Sequence, residues 1–105
     1  MPFLNAYERA SHFKKHGQDF GLADENAYER MADEFMFGLM NSDTRECIRP
    51  NGNDRLRCET VVRHFGVASI TPEFLRTFYP IKASTIHKRG GIGGFFAYEC
   101  GRIDS

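Results

Sequence analysis

The 105-residue chain lacks net charge: 14 Lys and Arg balance 14 Asp and Glu. That excludes a uniformly cationic, histone-like nucleic-acid binder. No apolar run approaches the ~18 residues that a membrane span needs. The opening Met1-Pro2-Phe3-Leu4-Asn5 has neither a basic leader nor an apolar signal region. Cysteine is scarce, and Cys47, Cys58 and Cys100 form an odd set without CxxC spacing. This argues against a disulfide framework and a structural zinc site, and for a reducing, cytoplasmic setting. There is no internal repeat, no low-complexity tract and no length for a second domain, so residues 1–105 are read as one domain.

What is present is bulky core material, ten Phe and four Tyr, which matters in so short a chain. The charges are also unevenly placed. Residues 1–44 hold four basic and eight acidic side chains; residues 45–105 hold ten basic and six acidic. The second half can offer a polyanion a local positive surface, although exposed sheet faces are also commonly rich in arginine.

The first half reads as helical. Phe3, Ala6, Tyr7, Ala10 and Phe13 recur at three- and four-residue spacing up to His16, and Gly17 is a C′ terminator. Asp24 caps a second helix whose apolar face carries Tyr28, Met31, Ala32, Phe35, Met36 and Leu39, closed by Asn41-Ser42-Asp43. The second half reads as strands. Pro50-Asn51-Gly52-Asn53 is a turn, Leu56–Thr60 and Arg63–Ala68 are strand candidates, and Phe74–Tyr79 is a strand stopped by Pro80. Gly90–Gly94 reads as a mobile loop and Phe95–Cys100 as a last strand. The expected class is α+β, helical over about 3–41 and sheet over about 45–101, with the helices on one face of an antiparallel sheet.

His12 and His16, four apart on the first helix, flank its apolar stripe with Arg9. A histidine at a core margin can be a partly buried base; one near a helix C-terminus is also favoured there by the dipole alone. Metal binding by the pair lacks an obvious third ligand beyond Asp19, and Gly90–Gly94 lacks the P-loop lysine position. Arg55, Arg57, Arg63 and Arg76 fall in or near strands, Thr77 and Tyr79 share a strand face, and Lys88 and Arg89 precede the glycine run. Arginine forks match phosphate oxygens. A histidine, an arginine and a hydroxyl around one phosphate are enough to cleave RNA without a metal or other cofactor. A solvated strand face is the plainer reading of each arginine taken singly.

Three blocks carry a family resemblance. His12-Phe13-Lys14-Lys15-His16-Gly17-Gln18-Asp19-Phe20-Gly21, followed by Tyr28-Glu29 and Ala32, resembles the HFxKHGxxFG…YexxA opening of small toxin domains at the tips of bacterial polymorphic and contact-dependent toxins. Arg57–Val67 is similar to that family's RYDxxTNxFGV, and Leu75–Pro80 to its IRTFFxP. Cys58 and Glu59 stand where Tyr and Asp are usual, Val62-Arg63 where Thr-Asn is, and Glu73 where a turn Gly is common. The family belongs to the barnase–EndoU–colicin E5/D–RelE-like group of ribonucleases. The resemblance implies two N-terminal helices on a four- or five-stranded antiparallel sheet. It implies His16 as general acid/base, Arg57 as phosphate clamp and Thr77 as a phosphate or 2′-OH contact, with His12 and Lys15 assisting. Arg55, Arg63, Arg76, Tyr79, Lys88 and Arg89 are the further substrate-binding candidates.

The expected function is a metal-independent endoribonuclease toxin acting in the cytoplasm on RNA, tRNA foremost, and neutralised by a cognate immunity protein or antitoxin. The alternative is an inactive nucleic-acid or protein interaction module on the same fold. A third possibility, an ADP-ribosyltransferase toxin, lacks the Arg, Ser-Thr-Ser and Glu-x-Glu series.

Overall fold

A computed structural model describes residues 2–103. Helix α1 spans Ala6–His16, a 3-10 turn spans Gly17–Phe20, and α2 spans Glu25–Phe37. Four strands follow, β1 Thr44–Ile48, β2 Asp54–Glu59, β3 His64–Ser69 and β4 Phe74–Pro80, then α3 Ala83–Lys88 and α4 Ile92–Gly101. The strands form one antiparallel meander in the order β1-β2-β3-β4.

Local chemistry sets the element ends. Asn5 caps α1 by accepting from Glu8 N, so the helix begins at Ala6, three residues later than the start expected at Phe3, and Asp24 caps α2 by accepting from Asn26 N. Gly17 is not the left-handed terminator; that role falls to Gly21, with φ +70°. Gly17 is needed for space, because a Cβ there would lie 2.4 Å from Phe13 Cδ1. Leu39 lies past the end of α2 and is exposed rather than on its buried face. Asn51 Oδ1 accepts from Asn53 N and Asp54 N, and Gly52 adopts φ +77°, which makes the β1–β2 turn. In the β2–β3 turn Glu59 accepts from Val61 N and Val62 N, and Arg63 takes φ +63°. The Glu59 carboxylate thus holds the turn through two backbone N–H groups.

The sheet is covered on both faces. On one, α1 and α2 bury Tyr28, Ala32 and Met36 against Phe3, Ala68, Leu75 and Phe78. On the other, Leu56, Cys58, Phe65 and Val67 pack with Ile81, Ile86 and Phe95 from the C-terminal segment. Burying a Leu- or Phe-sized side chain contributes roughly 1.5–3 kcal/mol, so both layers hold the sheet in place.

The C-terminal segment departs from expectation. Phe95–Cys100 is helix, not strand, and the sheet ends at Pro80. Ile92, Phe95, Phe96, Glu99 and Cys100 recur at helical spacing on the covered side. The glycine run is a tight α3–α4 junction: Gly90 and Gly91 have φ +80° and +114°, and a Cβ on Gly94 would lie 1.9 Å from Arg89 O. The cysteine expectation also fails, since Cys47 and Cys100 form a disulfide that ties β1 to α4. Cys58 remains a buried free thiol. The pairing arises because α4 brings position 100 back beside the outermost strand, so the odd count gives no support for a reducing compartment. Among the described residues no helix is long and apolar enough to cross a membrane.

Candidate active site

Among the described residues β4 has a strand neighbour on one side only. Its outer margin meets the N-terminal segment, where Phe3 bridges to Leu75 and Leu75 N donates to Pro2 O. α1 packs beside it. The helix pitch puts His12 and His16 one turn apart with ring centroids 6.2 Å apart. His12 stacks on Phe3 at 5.2 Å, and Phe3 stacks on buried Tyr28. His12 Nε2 lies 3.7 Å from Glu8 Oε2, and its buried Nδ1 has no hydrogen-bond partner among the described residues. His16 lies against Tyr79 of β4, with centroids 5.2 Å apart.

Burial sets the protonation of these groups. It holds His12 below the usual 6.5, Glu8 opposing the shift and Lys15 adding to it. Burial also lowers His16, reinforced by His12, Lys15 and Lys82 and opposed by Asp19. Both imidazoles are therefore neutral near pH 7. Tyr79 is pushed up to about 12, first by burial and next by Glu99, so its phenol keeps its proton.

Three clefts open along β4 and share walls. The first, of about 280 Å³, is lined by His16, Asp19, Tyr79, Pro80, Ile81, Lys82 and Thr85. The second, of about 310 Å³, lies on the α4 side and is lined by Arg49, Phe65, Val67, Arg76, Thr77, Tyr79, Glu99 and Arg102. The third, of about 340 Å³, holds His12 with Glu8 and Arg76. Tyr79 divides the first from the second, and Arg76 the second from the third.

Of the sequence-predicted residues, His12, His16, Arg76, Thr77 and Tyr79 come together on this margin, with Lys15 exposed beside the histidines. Arg57 does not join them. It is buried on the α2 side of β2, where Nη1 donates to Phe35 O (3.1 Å) and Gly38 O (2.8 Å) and Nε to Glu46 Oε1 (2.9 Å). A guanidinium there satisfies the carbonyls that the end of α2 leaves open. Arg55 is on the same side, paired with Glu46 at 3.2 Å and set over the Phe37 ring. Arg63 is exposed in the β2–β3 turn, and Arg89 stacks on Tyr98 beside exposed Lys88 at the end of α3.

Sequence reasoning missed Lys82 and Thr85, which the start of α3 brings to the His16 cleft, and Arg49, Glu99 and Arg102 beyond Tyr79. None sits in a motif, and each arrives through α3, α4 or the β1–β2 turn. Among the described residues no three His, Cys, Asp or Glu side chains are grouped as metal ligands would be. Chemically the margin offers a neutral base, a protonated phenol and an ammonium within one cleft. No protein-family model and no curated protein matches the chain.

Proposed function

We propose that the chain is an endoribonuclease of the toxin type, cleaving RNA, with tRNA the foremost candidate, by attack of a ribose 2′-OH on the adjacent phosphate. One observation carries the reading: neutral His16 lies against protonated Tyr79 in a cleft that also holds Lys82. His16 takes the proton from the 2′-OH, and O2′ bonds to phosphorus. Lys82 offsets the charge that develops on the phosphorane. The P–O5′ bond breaks, Tyr79 donates its proton to the departing O5′, and the His16 imidazolium returns a proton to Tyr79. The products are a 2′,3′-cyclic phosphate and a 5′-hydroxyl, and no cofactor is required. His12 and Lys15 tune His16 electrostatically, consistent with their effect on its basicity. The enzyme acts in the cytosol of a target cell, and its natural antagonist is an immunity protein.

Incubating the protein with total tRNA and bulk RNA in EDTA, beside His16→Ala, tests this. Discrete fragments with 2′,3′-cyclic phosphate ends, absent with the variant, are expected. Intact RNA in the presence of folded protein overturns the proposal. The position of Arg57 favours the second reading, an interaction module without the reaction, because the arginine that the resemblance gives to the phosphate is engaged by α2. Binding of RNA without cleavage would identify that case.

A further inference from the structure

The large apolar side chains that the fold leaves exposed are not scattered evenly. Nine are exposed among the described residues. Three of these, Leu39, Met40 and Val62, line one groove between the end of α2 and the β2–β3 turn, and Val61 adjoins it in that turn. Single exposed apolar side chains are ordinary, but a group of them around a concavity marks an interaction surface. The groove has a volume of about 280 Å³. Its floor is aromatic: the Phe35 and Phe78 rings lie 5.1 Å apart, and the His64 ring stands edge-on to both.

The charge of the groove has one sign. Glu34 and Glu59 line it, whereas Arg30, Arg45 and Arg63, each next in sequence to a lining residue, do not. Burial holds His64 below its ordinary 6.5 against the pull of Glu59, so this ring adds no positive charge near pH 7. Glu59 is only 5% exposed. Its Oε2 accepts from Val61 N and Val62 N, but its Oε1 accepts from no group among the described residues. Buried polar atoms ordinarily have a partner, and a charged oxygen without a donor is costly. The carboxylate of Glu34, exposed in the last turn of α2, is also without a hydrogen-bond or ionic partner among the described residues.

We propose that this groove is a docking site for a protein partner that inserts an arginine side chain, the guanidinium donating to Glu59 Oε1 and the methylene stem lying on Phe35, Leu39 and Met40. The Glu34 carboxylate adds attraction, and apolar residues beside the arginine cover Val61 and Val62. Arginine suits the groove better than lysine, because its planar guanidinium is weakly hydrated and stacks on aromatic rings. Arginine is also frequent among the few residues that dominate an interface, where surrounding contacts exclude water. A nucleic-acid phosphate suits it badly, since both carboxylates repel an anion. The groove shares no lining residue with the His16 cleft and stands apart from the ribonuclease reading.

The probe is the peptide acetyl-Ala-Leu-Arg-Leu-Ala-amide, titrated into isotope-labelled protein and followed by backbone amide shifts in NMR. Its control carries citrulline in place of arginine, which keeps the shape and removes the charge. Saturable shifts at Leu39, Met40, Val62 and His64 are expected with the arginine peptide, and binding about tenfold weaker with the citrulline peptide. Glu59→Gln keeps an oxygen for the two turn amides. With its fold verified by circular dichroism, this variant should bind the arginine peptide about tenfold more weakly and the citrulline peptide as the wild type does. Equal affinity for the two peptides, no saturable shift in the groove, or an equal loss with both peptides in Glu59→Gln overturns the proposal. Self-association of the protein alone, abolished by Glu59→Gln, would give the groove to a second copy of the chain. Groove shifts on adding single-stranded RNA would give it to nucleic acid. Either result also overturns the proposal.

Discussion

The His16 imidazole lies on the Tyr79 ring with 32° between their planes, joining the last turn of α1 to the outer strand of the sheet. This contact places a group that accepts a proton beside one that holds its own, and the functional predictions follow from it.

If the proposed reaction holds, removing the His16 imidazole or the Tyr79 hydroxyl should impair cleavage without unfolding the chain. His16→Ala is expected to lower kcat by roughly 10²–10⁴, and Tyr79→Phe by about a hundredfold. Both are read in single-turnover assays on a defined RNA. Wild-type rates in Tyr79→Phe would remove the phenol from the reaction.

The pH dependence follows from the lowered histidines. Cleavage should rise with pH through a midpoint below 6.5 and level off above it, because burial holds the His16 imidazole below its ordinary value. Asp19→Asn removes a neighbour that raises His16 and should shift the midpoint further down, while Lys82→Gln should shift it up. Stability has the matching sign. His12, His16 and His64 all have folded values below the ordinary 6.5, so their contribution is complete above about 6.5 and is lost as pH falls through the folded values. Thermal melts between pH 7.5 and roughly pH 5 would record this.

Arg57 separates architecture from chemistry. Arg57→Met should destabilise the protein by about 3 kcal/mol, because Glu46 loses its closest cation and the end of α2 its donor. Urea denaturation reads the loss. Activity per folded molecule should be unchanged, whereas a catalytic loss with intact stability would return Arg57 to the phosphate.

The disulfide should be worth about 4 kcal/mol, from the loop entropy of a 53-residue separation. Dithiothreitol is expected to lower the urea midpoint of the wild type and leave a Cys47→Ala, Cys100→Ala double variant unaffected. Equal midpoints with and without reductant would contradict it.

Much of this was legible from the chain. The spacing of Tyr28, Ala32 and Met36 after Asp24 specifies α2 and its buried face. Asn51-Gly52 specifies the first hairpin, and Pro80 the end of β4. The pair His12 and His16 follows from helical pitch alone. The C-terminus did not read correctly, since glycines at 90, 91, 93 and 94 imitate a loop and Phe95-Phe96 imitates a strand. A short apolar run carries too few turns for its period to separate helix from strand. What depends on α4, the disulfide and the Arg49–Glu99 pair, was hidden with it. The placement of Arg57 was hidden for another reason: strand alternation tells which residues share a face, not which face meets α2.

The link between Cys47 and Cys100 closes the chain into a covalent ring that contains β2, β3, β4 and α3. A machine that drew the protein lengthwise from its N-terminus would take α1 and α2 as a single thread. At Cys47 it would meet a lasso, and from there two lengths of chain must pass abreast until a reductant opens the knot. Passage of this protein through a narrow channel from that end therefore divides at Cys47, and the bore of the channel decides whether reduction must come first.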